Sequence, residues 1–232
     1  MKDWRNPELT QYFLAGVRAA IPLADAQLES ISRLVKEFVP DLQNFIDLGC
    51  GDGVIGRYVH ELYPEARGIY LDYSAPMISE LKKKVRYDSR IISEDYSKDH
   101  WLTLIEDERP FDLILSGYSI HHLQHEDKKI LYNRIYELLR EGGLFLNLEH
   151  VASPSSRLEK IHDNIFIDAL TGFSNGVKSR EIVKTEYENR QDKILNVLAP
   201  VEEQCNWLRK TGFKQVDCYF KLFELALFGG VK

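Results

Sequence analysis

The sequence predicts an α/β fold: a doubly wound, seven-stranded sheet, mostly parallel with one antiparallel strand near the C-terminus, carrying additional helical segments. Three observations predict it. Apolar runs of four to eight residues alternate with helical patterns from about residue 43 to residue 150, the pattern of a parallel sheet with helices on both faces. The first run, Phe45-Ile46-Asp47-Leu48, gives way to Gly49, Gly51 and Gly53 and then to a helical pattern. Glycines at such a strand-to-helix turn permit positive φ and close approach of a ligand to the main chain. Finally, two strand-like runs near 213–220 and 222–228 are separated only around Lys221, a link short enough to require antiparallel pairing.

Strands are expected near 43–48, 67–72, 90–94, 111–116 and 143–149, and helices near 53–63, 75–87, 98–106 and 126–140. Ser74 followed by Ala75-Pro76 reads as an N-cap with proline in the first turn. Gly142-Gly143 reads as a stop for the helix that carries Leu138 and Leu139. An amphipathic helix over 200–210, closed by Gly212, precedes the antiparallel pair. Two segments lie outside this core: residues 7–39, one or two helices broken at Ile21-Pro22, and residues 154–190, helical but interrupted at 171–176. Ligands bind at the carboxyl ends of parallel strands, so both segments are expected to cover that edge as a lid and a substrate pocket. Their alternative use is to extend the core or to make a dimer contact, which leaves a homodimer open. The expected organisation is a single domain with a lid at 1–40, a core at 41–150, a cap insertion at 151–195, and a closing helix and strand pair at 196–232.

Composition narrows the function. The 232-residue chain is 44% hydrophobic and 28% charged, enough apolar matter for a packed core and enough charge for a soluble surface. A net charge of −6 argues against nucleic acid as the main partner, because phosphate binding concentrates Lys and Arg. The one basic run, Lys82-Lys83-Lys84, falls on a predicted helix and reads as a solvated face. Cys50, Cys205 and Cys218 have neither metal spacing nor the even count of a disulfide framework. No apolar stretch reaches the roughly 20 residues of a membrane span. Met1-Lys2-Asp3-Trp4-Arg5 lacks a following apolar core, so no signal peptide is expected and the cytoplasm is the default compartment.

The spacing of the turn, D-x-G-x-G-x-G over Asp47, Gly49, Gly51 and Gly53, differs from the dinucleotide turn G-x-G-x-x-G. The third glycine comes one place early, and Val54 stands where that fingerprint needs glycine. An acid at the end of the first strand repels a pyrophosphate and suits a ligand with a cationic group. Gly68-Ile69-Tyr70-Leu71-Asp72 is a second apolar run ending on an acid, placed to accept from ribose hydroxyls. Ile91-Ile92-Ser93-Glu94-Asp95-Tyr96 is a third. A fourth, Phe111-Asp112-Leu113-Ile114-Leu115-Ser116-Gly117-Tyr118, leads into Ser119-Ile120-His121-His122-Leu123, and a fifth ends in Leu148-Glu149-His150.

Over about residues 42–150 this order of motifs resembles the class I S-adenosylmethionine-dependent methyltransferases, whose fold is Rossmann-like with a reversed strand near the end of the sheet. The resemblance implies S-adenosyl-L-methionine as cofactor and methyl transfer by in-line displacement. It implies that Asp47 anchors the amino group of the methionyl part and that the backbone at Gly49, Gly51 and Gly53 approaches the methionyl part and ribose. Asp72 would take the ribose hydroxyls, Tyr73 and Met77 would pack on adenine, and Asp95, with Tyr96 beside it, would read the adenine amino group. Ser116 and Gly117 would lie near the methionyl backbone. The string Arg18-Ala-Ala-Ile-Pro resembles a lid segment of the carboxy-adenosylmethionine synthase and wobble-uridine modification branch, which points to Tyr12 and Arg18 as lid residues.

A general base is needed only for a poorly acidic acceptor. The candidates are His150 and Glu149, ending the fifth strand, and His121, with His122 as a substrate contact and Arg190 as a partner for a substrate carboxylate. His121 and His125 are four apart, but they straddle a loop-to-helix junction and no third ligand is placed by the sequence, so no metal is expected. The leading expectation is a methyltransferase acting on a small molecule. The alternatives are an RNA-modifying methyltransferase, a carboxy-adenosylmethionine synthase-like enzyme, a non-catalytic adenosylmethionine-binding protein and a nicotinamide-dependent oxidoreductase.

Overall fold

The structure, a computed structural model, describes residues 20–86, 89–190 and 195–232. Seven strands form one sheet: β1 (Asn44–Leu48), β2 (Arg67–Leu71), β3 (Ser89–Ile92), β4 (Phe111–Gly117), β5 (Leu139–His150), β6 (Lys214–Leu222) and β7 (Leu225–Val231). Their spatial order is β3-β2-β1-β4-β5-β7-β6. β1 pairs in parallel with both β2 and β4, and β7 alone is reversed, antiparallel to β5 on one side and β6 on the other. The chain moves outward from β1 in both directions, so the crevice beyond the carboxyl ends of β1 and β4 is the topological switch point where such sheets bind ligands.

The helices are α1 (Ala24–Phe38), α2 (Val54–Leu62), α3 (Ala75–Lys84), α4 (His100–Leu104), α5 (His125–Leu138), α6 (Ser156–Phe173), α7 (Arg180–Glu188) and α8 (Val201–Thr211). Successive strand residues face opposite sides of a sheet. Ile46, Leu48, Ile69, Leu71, Ile114 and Phe145 therefore meet Leu131, Tyr132 and Ile135 of α5 and Cys205 and Leu208 of α8 on one face. Phe45, Tyr70, Leu113, Leu115 and Leu146 meet Ile31 and Val35 of α1, Ile55 and Val59 of α2, and Ile78 and Leu81 of α3 on the other. Burial on both faces explains why the strands read as continuous apolar runs rather than alternating ones. A third cluster, Phe166 and Ile167 of α6 with Val183 and Tyr187 of α7, seats the cap on Leu225 at the start of β7.

Local signals act as the sequence implies at most boundaries. The Ser74 hydroxyl accepts from the Met77 N–H and caps α3, with proline in its first turn. Ser155 and Ser179 cap α6 and α7 in the same way, and Gly212 ends α8 with φ of 121°. The Gly142-Gly143 pair behaves differently from its expectation. Helix α5 stops at Leu138 and Leu139 already belongs to β5, so the glycines lie inside a strand. They sit where the β4–β5 register shifts between Phe111 and Leu113. A side chain on Gly143 would lie 2.9 Å from the Arg140 carbonyl and 3.1 Å from that of Phe111, so the bulge brings backbone against backbone. The helix expected at 98–106 is shorter, α4 followed by a single 3₁₀ turn at Glu106–Glu108. Among the described residues no helix is long and apolar enough to cross a membrane.

Phe145 lies fully buried between Tyr132 and Phe213, with ring centroids 5.7 and 6.0 Å away. Phe145→Ala should cost about 3–5 kcal/mol of stability in urea unfolding followed by circular dichroism. A loss below about 1 kcal/mol would contradict its place in the core.

Candidate active site

A cavity of about 220 Å³ opens at the carboxyl ends of β1, β2 and β4. Its floor is the glycine turn. Gly51 has φ of 56°, a region that favours glycine, and a Cβ there would meet nothing nearer than the Met77 sulfur at 3.8 Å, so bare main chain faces the cavity. Gly49 lies against a neighbour instead: a Cβ at that position would fall 1.9 Å from the Ser119 hydroxyl. Gly53 stands at the N-cap of α2, behind the turn and outside the cavity wall.

Asp72 follows β2 and lines the cavity. Its Oδ2 accepts the Gly51 N–H at 2.8 Å and its Oδ1 accepts the Ser74 N–H at 2.7 Å. One carboxylate thus ties the turn after β1 to the turn after β2. Burial pushes its pKa up to about 6, against the opposing effect of the N–H groups of Ser74, Gly51 and Tyr73. Tyr73 and Met77 line the wall beside it, and so do Tyr96 and Gly117. The Tyr96 hydroxyl is hydrogen-bonded to the Ser119 hydroxyl at 2.8 Å, and burial raises its pKa far above the usual phenol value.

Besides Gly53, three predicted cofactor residues stand outside the wall. Asp47 is 1% exposed, and its Oδ2 accepts the Gly56 N–H in the first turn of α2 at 2.9 Å. Asp95 accepts the Ser97 N–H at 2.9 Å in a local turn. The Ser116 hydroxyl donates to the Leu48 carbonyl at 2.8 Å, clamping β4 to β1. Conversely, Ile21, Gln27 and Tyr118 line the cavity without having been singled out. The Tyr118 hydroxyl donates to Gln27 Oε1 at 2.9 Å, which pins α1 over the end of β4. The place of Tyr118 at the end of the fourth apolar run was the available signal for it, and Ile21 falls within the lid-like string ending at Pro22, whereas nothing along the N-terminal segment marks Gln27. Tyr12 and Arg18 lie outside the described residues.

The histidine candidates converge. His121 belongs to a 3₁₀ turn (Ile120–His122), and its Nδ1 lies 2.5 Å from Glu149 Oε1, an oxygen that also accepts the His150 N–H at 2.9 Å. Glu149 is fully buried, and burial drives its carboxyl well above the ordinary range despite the His150 N–H and the nearby Lys128 and histidines. Burial lowers the pKa of the Lys128 ammonium, against the pull of Glu149, and its Nζ donates to the carbonyls of Leu123 and Val197. His122 lines the cavity, and its ring centroid is 4.0 Å from that of His121. His121 is in turn 6.0 Å from His150, and His150 is 5.4 Å from His162 of α6. His125 stands apart, against Trp207 at 5.7 Å. Arg190 lies with its guanidinium 5.6 Å from the Tyr187 ring and does not line the cavity. The cap reaches the cavity wall through Ile21 and Tyr118, both packed on the α6–α7 cluster.

Residues 45–143 match the family model of the methyltransferase domain. Over that stretch the chain is similar to methyltransferase domains. The chain is 24% identical over 96% of its length to the carboxy-S-adenosyl-L-methionine synthase of Nautilia profundicola, 92% of which is covered. It is 25% identical over 93% of its length to the protein of the same name from Shewanella amazonensis, 87% of which is covered. Among solved structures, the sugar N-methyltransferase KedS8 from Streptoalloteichus superposes with a TM-score of 0.59 at 16% identity, over 88% of this chain and 86% of that one. An O-methyltransferase family protein from Burkholderia thailandensis gives 0.59 at 15% identity over 90% of this chain. This chain spans only 59% of that protein, and 55% of the methyltransferase SibL. At these identities the structures share the fold.

Removing the Asp47 carboxylate leaves the buried Gly56 N–H without its acceptor. Asp47→Ala should therefore lower stability by about 1–3 kcal/mol in urea unfolding. An unchanged midpoint would show that the acid does not hold the start of α2.

Proposed function

We propose that this enzyme transfers the methyl group of S-adenosylmethionine to a small-molecule acceptor. The observation that carries the reading is Asp72: a buried carboxylate at the tip of β2, bridging two turns and facing a cavity floored by bare main chain. Such a cavity fits an adenosine nucleoside. Asp72 is placed for the ribose hydroxyls, Tyr73 and Met77 for the purine, and the Gly49–Gly51 backbone for the methionyl part. Asp47 acts through the turn by fixing the start of α2. When bound, the cofactor supplies a methyl group already activated on a sulfonium.

The remaining work is positioning and water exclusion, which can supply roughly 7–11 kcal/mol of the barrier. The Tyr118–Gln27 bond closes α1 over one side. On the other, His121 Nδ1 and Glu149 form a buried hydrogen-bonded pair that shares one proton and backs His122, the histidine that lines the cavity. His122 lies between that pair and the cavity, as a contact to the acceptor. His150 does not line the cavity, and its Nε2 is held by Glu224 at 2.7 Å. Arg190 and the lid residues Tyr12 and Arg18 remain candidates for the outer wall.

A second reading is favoured by the relatives named carboxy-S-adenosyl-L-methionine synthase, whose similarity extends across the cap as well as the core. Forming a carboxylated sulfonium requires a cation for the carboxylate, and no Lys or Arg lines the cavity among the described residues. Mass spectrometry of the adenosyl product separates the two, since adenosylhomocysteine marks methyl transfer and a carboxylated sulfonium marks the synthase.

Asp72→Asn should weaken adenosylhomocysteine binding by about 1–3 kcal/mol in isothermal titration. Equal affinity in both proteins would remove the ribose assignment. The raised pKa gives a second prediction. Hydroxyl donors favour the ionised carboxylate, so binding lowers the pKa of Asp72 and releases a proton at acid pH. Affinity should be flat above the free-state value of about 6 and fall about tenfold per pH unit below it. A profile that is level down to pH ~5 would contradict the involvement of Asp72.

A further inference from the structure

His150, His162 and Glu224 come from the end of β5, the middle of α6 and the turn before β7. No spacing along the chain announces them as a group. The fold joins them because β7 pairs antiparallel with β5, placing Leu225 opposite His150 and Glu224 just beyond, while α6 lies across that corner. One potential ligand atom from each residue falls within a 4.8 Å cluster. Glu224 Oε2 is 2.7 Å from His150 Nε2 and 3.7 Å from His162 Nε2. His162 and Glu224 are 2% and 3% exposed.

We infer that these three side chains form a binding site for a divalent first-row transition-metal ion. Two imidazole Nε2 atoms face one carboxylate oxygen, which is a donor set that suits zinc, iron(II) or manganese. Ligands about 2.0–2.2 Å from a common ion stand roughly 3.0–3.5 Å from one another. The two separations from Glu224 bracket that interval, and the two imidazole nitrogens lie within 4.8 Å of each other, so an ion is accommodated once the two rings close by up to about an ångström. The 3.7 Å distance is too long for a hydrogen bond and close to a ligand–ligand spacing. The other Glu224 oxygen accepts the Ser153 hydroxyl at 2.5 Å. That bond orients the carboxylate as outer partners do around bound metals.

His150 is the member nearest solvent, and its ring leads through His121 and His122 to the cavity. None of the three lines the cavity, so the ion stands behind the His121–Glu149 pair, whatever the methyltransferase reading assigns to the cavity. The ion site itself does not depend on that reading.

The test uses the full chain without an affinity tag, stripped with chelator and titrated calorimetrically with zinc chloride, with manganese chloride and magnesium chloride as comparisons. Zinc should bind at one equivalent with micromolar or tighter affinity, and magnesium should not. His162→Ala and Glu224→Gln should each weaken zinc binding by about 100-fold or more. Both should keep adenosylhomocysteine affinity, which shows that they remain folded. In the wild type, cobalt(II) should give the visible absorption of a nitrogen–oxygen site. No saturable zinc binding by the wild type would overturn the inference, as would zinc binding that survives both substitutions. Either result would leave the methyl-transfer reading standing, because adenosylhomocysteine titration tests that separately.

Discussion

The carboxylate of Asp72 is the constraint around which the site is arranged. It accepts one N–H from the glycine turn and one from the start of the β2–α3 turn, so two separate loops share a single anion. Burying that anion is unfavourable, and its pKa of about 6 measures the strain left after the backbone donors have acted. A ligand that brings further donors relieves it. In the proposed reading, the same group ties the two turns together and accepts from the hydroxyls of a ribose. Gly51 completes the arrangement by leaving its face of the turn without a side chain.

The sheet explains why the acid is there. β1, with β2 and β4 on either side, ends in the crevice where the chain direction of winding reverses. The reversed β7 builds a second polar centre on the far side of that crevice. Pairing β7 with β5 brings Glu224 to His150, while the 3₁₀ turn after β4 brings His121 to Glu149. The two glutamates differ because their partners differ. Glu149 has an oxygen with no hydrogen-bond partner and is driven toward its neutral form. Burial also pushes Glu224 upward, yet bonds from His150 and Ser153 and the positive potential of His150 and His162 hold it below the ordinary carboxyl range. A chain of histidine rings links the two centres to the cavity.

Much of this was legible in the sequence, for physical reasons that vary from residue to residue. Strands β1, β2, β4 and the second half of β5 were readable because burial on both faces gives nearly continuous apolar runs, while the edge strand β3 offered only Ile91-Ile92. Asp72, Tyr73 and Gly117 end or follow a strand, and a parallel sheet brings such positions to one edge, whereas Met77 and Tyr96 came from the resemblance to the methyltransferases; all five line the cavity. The Gly142-Gly143 pair was misread, since glycines serve a strand bulge as well as a helix stop, and only the approach of Phe111 distinguishes them. Asp47 illustrates a different limit: its position at the tip of β1 was legible, but the direction of its side chain, toward Gly56, was not. The contributions of Gln27, His162 and Glu224 depend on how α1, α6 and β7 pack, which no local pattern encodes.

The most direct test of the account is a crystal structure of the full chain with adenosylhomocysteine. The ribose hydroxyls should lie within hydrogen-bonding distance of Asp72, the purine between Tyr73 and Met77, and the sulfur toward His122. A nucleoside seated elsewhere, or one that leaves the Asp72 carboxylate without a ribose contact, would contradict the account.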